Sequence, residues 1–303
     1  MKILIKILFL INNKNNFLIY LKSTMSNNSY MKVILVQNNP EYKNISKNIE
    51  ILNEYLKDFS AEDKIDVVLF TEMALTGYFF DSKEDISPYT SYCDEGETFN
   101  FCSSISKKLK CYTFLGYPEK VRENSNLYNS LMITDRDGKL LKSYHKINLF
   151  KDDKKWSTPG EKFEYIDILT NCGKEARLAL GICLDFYYQS NPDKFCYEYV
   201  QNFLNKNINF FIFPTNWADL NHTDNSPECI NKTVYEKWII PIFPIMIEGK
   251  KRNIYLLAAD RTGIERNTYL LGCSCIVKLA PPFKLIKNLD KVTNGVIVET
   301  LEF

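Results

Sequence analysis

The sequence predicts an α/β protein whose sheet is covered by helices, and two observations carry that reading. Apolar runs of strand length alternate with helix-spaced segments along the chain. Several of those runs are continuously apolar, the mark of strands buried on both faces. Lys32 to Gln37 (KVILVQ) is the first, rich in β-branched residues. From Ser46 to Phe59, the apolar residues Ile49, Leu52, Tyr55, Leu56 and Phe59 recur at helical spacing. Asp66 to Phe70 (DVVLF) is a second buried strand. Glu97 to Leu109 reads as a helix and Cys111 to Gly116 as a strand. Leu127 to Ile133 and Leu140 to Tyr144 flank Asp135-Arg-Asp-Gly138, a hairpin turn. Arg177 to Cys183 (RLALGIC) is a strand, Tyr197 to Asn205 a helix and Phe210 to Phe213 a strand. Ile254 to Ala259 and Cys273 to Val277 continue the pattern, which would set Cys273 and Cys275 on one face of a strand.

Composition narrows the function. Of 303 residues, 45% are hydrophobic and 25% charged, enough apolar material for a core without staples. Lys+Arg is 38 against Asp+Glu 37, which argues against nucleic-acid binding through a broad basic surface and against a charged disordered tail. Nine scattered cysteines with no CxxC pattern indicate free thiols in a reducing compartment, hence a cytoplasmic location. No GxG, no GK[ST] and no HExxH occurs, and His145 and His222 are the two histidines. No cofactor and no metal is therefore expected. Residues 1–30 read as a disordered or mis-assigned leader or a weak targeting signal, because the apolar run Met1 to Leu10 is too short to span a membrane. The folded domain is expected over residues 31–303, with no membrane partner.

Three polar residues follow apolar strands, where α/β proteins place their sites. They are Glu72 (LFTEMALTGY), Lys146 (SYHKINLF) and Cys183 (LALGICLDF). A thiolate is a strong nucleophile, a carboxylate can take its proton and later activate water, and an ammonium can stabilise an oxyanion. Together they could run acyl transfer from an amide. Each alone also fits a bland role: a core thiol, a helix-capping or surface carboxylate, a solvated strand-end lysine. A Cys–His protease is a further alternative, with Cys183 as nucleophile and His145 or His222 as base.

TEMALTGY, YHKINLF and LGICLDF resemble, in this order, the glutamate, lysine and cysteine motifs of the nitrilase, or carbon–nitrogen hydrolase, superfamily. FPTNWAD, ADRTGIE and GCSCIV resemble its later segments, so the likeness spans about residues 31 to 301. It implies an α-β-β-α sandwich that pairs as a homodimer into αββα–αββα. It implies Cys183 as nucleophile, Glu72 as general base and Lys146 as oxyanion stabiliser, with a thioester intermediate and no cofactor. Two positions depart from the pattern. The family's second glutamate would fall at Lys154, with Asp152 or Asp153 able to shift in, and the asparagine before the late arginine is Asp260. Loss of the second glutamate would slow turnover or mark an inactive binding module.

Within the superfamily, EMALTGYFF, the tryptophan after the lysine loop, GICLDFYYQSNPDKF and the later Asn-Trp are similar to the N-terminal asparagine/glutamine amidohydrolases of the N-degron pathway. A small-metabolite ω-amidase or a carbamoyl-hydrolysing enzyme is the alternative. A protein N-terminus as substrate needs an acidic partner for its ammonium. Asp185, Asp81, Glu84, Asp85 and Asp219 are the candidates. The substrate-binding set is expected among Tyr78, Asp153, Asp185, Phe186, Asn216 and Trp217, with further aromatics at Phe79, Phe80, Tyr187 and Tyr188.

Overall fold

The computed structural model describes residues 29–188, 191–195, 197–219, 225–234, 236, 253–279 and 282–303. Most of the expected leader, His222 and the Pro-containing run 239–246 lie outside them. Among the described residues sixteen strands follow in chain order. They begin with β1 (Tyr30–Gln37), β2 (Val67–Leu69), β3 (Tyr112–Lys120), β4 (Leu127–Thr134) and β5 (Leu140–His145). Next are β6 (Tyr165–Leu169), β7 (Glu175–Leu180), β8 (Tyr187–Tyr188), β9 (Asn191–Phe195), β10 (Phe210–Thr215) and β11 (Tyr255–Asp260). The last are β12 (Thr262–Glu265), β13 (Thr268–Leu271), β14 (Cys275–Lys278), β15 (Lys284–Asn288) and β16 (Gly295–Glu302). The helices are α1 (Ile45–Tyr55), α2 (Lys83–Ile86), α3 (Glu97–Leu109), α4 (Tyr197–Phe203) and α5 (Pro227–Val234).

Two six-stranded sheets form, in the orders β16-β1-β2-β3-β4-β5 and β15-β14-β11-β10-β7-β6. The central strands β1, β2 and β3 run parallel, as do β7, β10 and β11. Residue alternation explains the layers. Val33, Leu35, Val67, Leu69, Phe114 and Leu131 of the first sheet meet Leu178, Leu180, Phe210, Ile212, Leu257 and Ile276 of the second in one core. The alternate residues Ile34, Val36, Val68, Phe70, Leu115 and Met132 pack outward on Leu52 of α1 and on Phe101 and Ile105 of α3. On the other side, Ala179, Phe211, Phe213, Leu256 and Ala258 pack on Tyr199, Val200 and Phe203 of α4. The central strands are buried on both faces and so read as continuous apolar runs, while the edge strands β5, β6, β15 and β16 are partly exposed. The result is the α-β-β-α sandwich.

Several boundaries differ from expectation. Helix α1 stops at Tyr55, because Leu56, Lys57 and Phe59 switch to i→i+3 bonds before Ser60 caps the next turn. Strand β7 ends at Leu180, so Cys183 stands beyond the strand rather than in it. Cys273 has φ +58° and precedes β14, so it does not share a strand face with Cys275. β6, β12, β13, β15 and β16 were not evident from the sequence. Among the described residues no helix is long and apolar enough to cross a membrane.

Candidate active site

The site forms where chain segments leave the strand ends. After β2, the backbone crosses β3 at Gly116, with Gly116 N–H donating to the Thr71 carbonyl (3.2 Å) and Ala74 N–H to the Gly116 carbonyl (3.1 Å). A Cβ on residue 116 would lie 2.5 Å from Glu72 Cα and 2.8 Å from the Thr71 carbonyl oxygen, so the approach requires glycine. This contact and the left-handed Met73 (φ +52°) turn Glu72 into the interior, where it is fully buried.

Lys146 is the first residue after β5, and its N–H donates to the Asn129 carbonyl on β4 (2.8 Å). Its buried ammonium donates to Glu72 Oε1 and to Asp153 Oδ2, each at 2.7 Å. Asp153 opens a short 3₁₀ turn, and Oδ2 also accepts from Phe150 N–H (2.9 Å). Burial, and then the charge of this carboxylate, push the Tyr78 hydroxyl well above the usual tyrosine range. The carboxylate against Lys146 is thus that of Asp153; Asp152 instead pairs with Lys155 at 2.8 Å. Asn129 Nδ2 donates to Glu72 Oε1 (2.7 Å) and to Asp153 Oδ1 (3.0 Å). Asn129 is a further member of the site, beyond the residues expected from the sequence. Its signal is an amide in the middle of a strand-length segment, LYNSLMIT, which must find partners when buried.

Electrostatics follow from this packing. Burial alone would push the Lys146 ammonium down, but the charges of Asp153 and Glu72 outweigh it and hold it well above the usual lysine range. Glu72 is raised, first by burial, with Lys146 pulling it down and Asp153 pushing it up. A raised carboxyl pKa suits a general base working near neutral pH. Glu72 Oε2 is buried with no hydrogen-bond partner among the described residues, which leaves one oxygen free for a proton.

Cys183 begins a short 3₁₀ turn, Cys183–Phe186, at φ +46°, a region rarely occupied by residues other than glycine. Asp185 holds this turn. Its Oδ2 accepts from Ile182 N–H (2.8 Å) and the Tyr144 hydroxyl (2.8 Å), while Oδ1 accepts from Ile147 N–H (3.1 Å) and Asn148 N–H (2.8 Å). One carboxylate therefore ties the cysteine turn to the lysine loop. Cys183 is 5% exposed. Burial, then the Glu72 charge, push it well above the ordinary thiol range, with Lys146 opposing. The resting group is a thiol that needs a base, and Glu72 and Lys146 stand within electrostatic reach.

Of the residues expected to bind substrate, the structure brings four to this site. Tyr78 lies with its ring centroid 5.9 Å from Lys146 Nζ, and Asp153 contacts the ammonium directly. Asn216 donates to the Glu72 carbonyl (3.3 Å), and Trp217 N–H donates to Asp260 Oδ1 (3.0 Å). Two expectations fare differently. Asp185 already accepts four bonds and so leaves no open face for a substrate ammonium. Phe186 stacks on Phe213 (3.6 Å, 14°) inside the outer core. The other acidic candidates are also engaged or distant: Asp81 pairs with Arg266, Asp85 with Lys43 and Asp219 with Lys291, and Glu84 is exposed. The described side chain of His145 turns away, stacking on Tyr128 and lying 3.0 Å from Glu119. Among the described residues no group of side chains could hold a metal ion.

The fold thus brings a cysteine, a lysine and two carboxylates together in one buried place, and the chain belongs to the carbon–nitrogen hydrolase family, whose model matches residues 32–192. It is a hydrolase of carbon–nitrogen bonds other than peptide bonds. Among curated relatives, a Schizosaccharomyces pombe protein named protein N-terminal amidase is 30% identical over 296 residues, covering 90% of this chain and all of the relative. A Saccharomyces cerevisiae protein of the same name is 29% identical over 68% of this chain and 49% of its own length, so this chain spans about half of it. Among solved structures, an N-terminal amidase crystallised with an Asn-Glu-Ala peptide superposes with a TM-score of 0.78 at 20% identity. That match covers 91% of this chain and 98% of the other and supports the shared fold.

Proposed function

We propose that this chain deamidates asparagine or glutamine at the amino terminus of proteins, the entry step of N-degron turnover. The observation that carries the chemistry is the buried ammonium of Lys146 held at 2.7 Å by both Glu72 and Asp153 beside a cysteine in a left-handed turn. The specificity rests on two relatives named for that activity.

In this mechanism Glu72 Oε2 takes the Cys183 proton as sulfur attacks the carboxamide carbon. Lys146 stabilises the oxyanion of the tetrahedral intermediate. The C–N bond breaks, and the departing nitrogen takes the proton from Glu72 and leaves as ammonia. Glu72 then removes a proton from water as its oxygen attacks the thioester. The C–S bond breaks, the product carboxylate leaves and Cys183 regains its proton. Asp153 acts in the place of the family's second glutamate, one residue earlier and one methylene shorter, and keeps Lys146 aimed. The absence of that glutamate favours an inactive binding module, and the Asp153 carboxylate at 2.7 Å from Lys146 supports the active reading over it.

Glu72, Asp153, Asp185 and Asp260 are all buried around this site. Of these, Glu72 and Asp153 set two carboxylates against the single ammonium of Lys146, a net negative balance that favours an amino-terminal ammonium and disfavours the α-carboxylate of a free amino acid, which the first residue of a peptide lacks. It is the physical argument for a protein N-terminus over a small metabolite. Deamidation rates on Asn- and Gln-initiated peptides against free asparagine and glutamine test it, and faster turnover of the free amino acids would reverse the assignment. A cytoplasmic homodimer completes the proposal, with dimerisation checked by sedimentation.

A further inference from the structure

The buried cluster contains two carboxylates and one ammonium, and Asn129 joins them. Glu72 Oε1 accepts from both Lys146 Nζ and Asn129 Nδ2, each at 2.7 Å. Asp153 accepts from the same two nitrogens, Lys146 Nζ at Oδ2 (2.7 Å) and Asn129 Nδ2 at Oδ1 (3.0 Å). The four side chains close a ring of four hydrogen bonds with every member fully buried. The amide has one orientation available, since its oxygen cannot face two carboxylates and its NH₂ supplies one hydrogen to each. The Asn129 backbone is fixed as well. Its N–H donates to Ser157 Oγ (2.9 Å), its carbonyl accepts the Lys146 N–H (2.8 Å), and Ser157 N–H returns to the Asp153 carbonyl (2.7 Å).

We propose that Asn129 is a positioning residue that keeps Glu72 ionised and turned so that Oε2 is left for the thiol proton. A second like charge beside Glu72 favours its protonated form, and a neutral donor shared by both carboxylates offsets that without adding charge. A lysine at this place would bring a second cation and draw Glu72 into ion pairing. An apolar residue would leave two carboxylates facing each other across one ammonium. This inference rests on the reading of Glu72 as the base for Cys183.

The test uses Asn129→Leu and Asn129→Asp, both close in shape to asparagine, beside wild type and Glu72→Gln. The readout is the pH dependence of Cys183 alkylation by iodoacetamide, followed by mass spectrometry of the peptide that carries it, so it depends on no choice of amide substrate. Thermal unfolding reports whether each variant folds. A hydrogen bond to a charged group is strong enough that its loss should move the acid limb of the profile up by about one pH unit in Asn129→Leu. Asn129→Asp, which adds a third carboxylate, should move it further. Folded Asn129 variants with the limb unmoved would overturn the inference, as would failure of both to fold, which would make Asn129 a structural residue. If Glu72→Gln retains the wild-type limb, the reading of Glu72 as base fails instead.

Discussion

Asp153→Asn removes one negative charge from the centre of the site and keeps the side chain's shape. Glu72 Oε1 and Asp153 Oδ2 lie each 2.7 Å from Lys146 Nζ, so they are at most about 5.4 Å apart. At an effective dielectric of about 20, two like charges at that distance repel by about 3 kcal/mol, or about 2 pK units on Glu72. Asp153 is one of the causes that raise Glu72, after burial, so its removal should lower Glu72. With partial relaxation, the acid limb of kcat/KM should move down by about 1 to 2 pH units. The plateau should fall about tenfold to a hundredfold, because Glu72 becomes a weaker base and Lys146 loses an anchor. The assay is ammonia release from an Asn-initiated peptide across pH. A limb that stays in place or moves up would refute the electrostatic account. The sign is opposite to that expected for Asn129→Leu, so the two variants check each other.

Two further variants probe how the site is held. Gly116→Ala places a methyl against Glu72 Cα and the Thr71 carbonyl, which are backbone and cannot rotate away. It should lower kcat about a hundredfold through misplacement of Glu72 and destabilise by about 1–3 kcal/mol, read by turnover and urea unfolding; wild-type kcat in a folded variant would contradict this. Asp260 stands where the family usually has asparagine, and its carboxyl is held well above the usual range, first by burial, with the Glu72 charge adding and bonds from Trp217 and Thr215 opposing. A raised folded-state pKa gives stability that is present below the unfolded value and lost as pH rises through the folded one. Asp260→Asn should therefore gain thermal stability relative to wild type as buffers go from mildly acidic to alkaline, and a constant difference in Tm would contradict it.

The parts legible in the sequence were those set by periodicity and motif. DVVLF, RLALGIC and FFIF announced buried strands because both of their faces are covered, and Glu72, Lys146 and Cys183, which bland roles fit equally at strand ends, stood out through the likeness of their segments to the family's three motifs. What stayed hidden depends on contacts distant in sequence. β16 is defined by pairing along β1, from Tyr30↔Glu302 to Gln37↔Gly295, which no local pattern reveals. Asp185 read as a substrate-facing acid because it sits two residues from Cys183, yet four donors claim it, three of them from residues 144–148. Choosing between Asp152 and Asp153 needed the turn that points one at Lys146 and the other at Lys155. Asn129 could be valued only after Glu72 and Asp153, 57 and 24 residues away, were seen on either side of it.

The most direct test of the proposed activity is mass spectrometry of short peptides beginning with Asn, Gln or a control residue, incubated with wild type and with Cys183→Ala. The account predicts amide-to-acid conversion on the Asn and Gln peptides alone, little on free asparagine or glutamine, and none with Cys183→Ala. Conversion that persists in Cys183→Ala, or turnover confined to free amides, would contradict it.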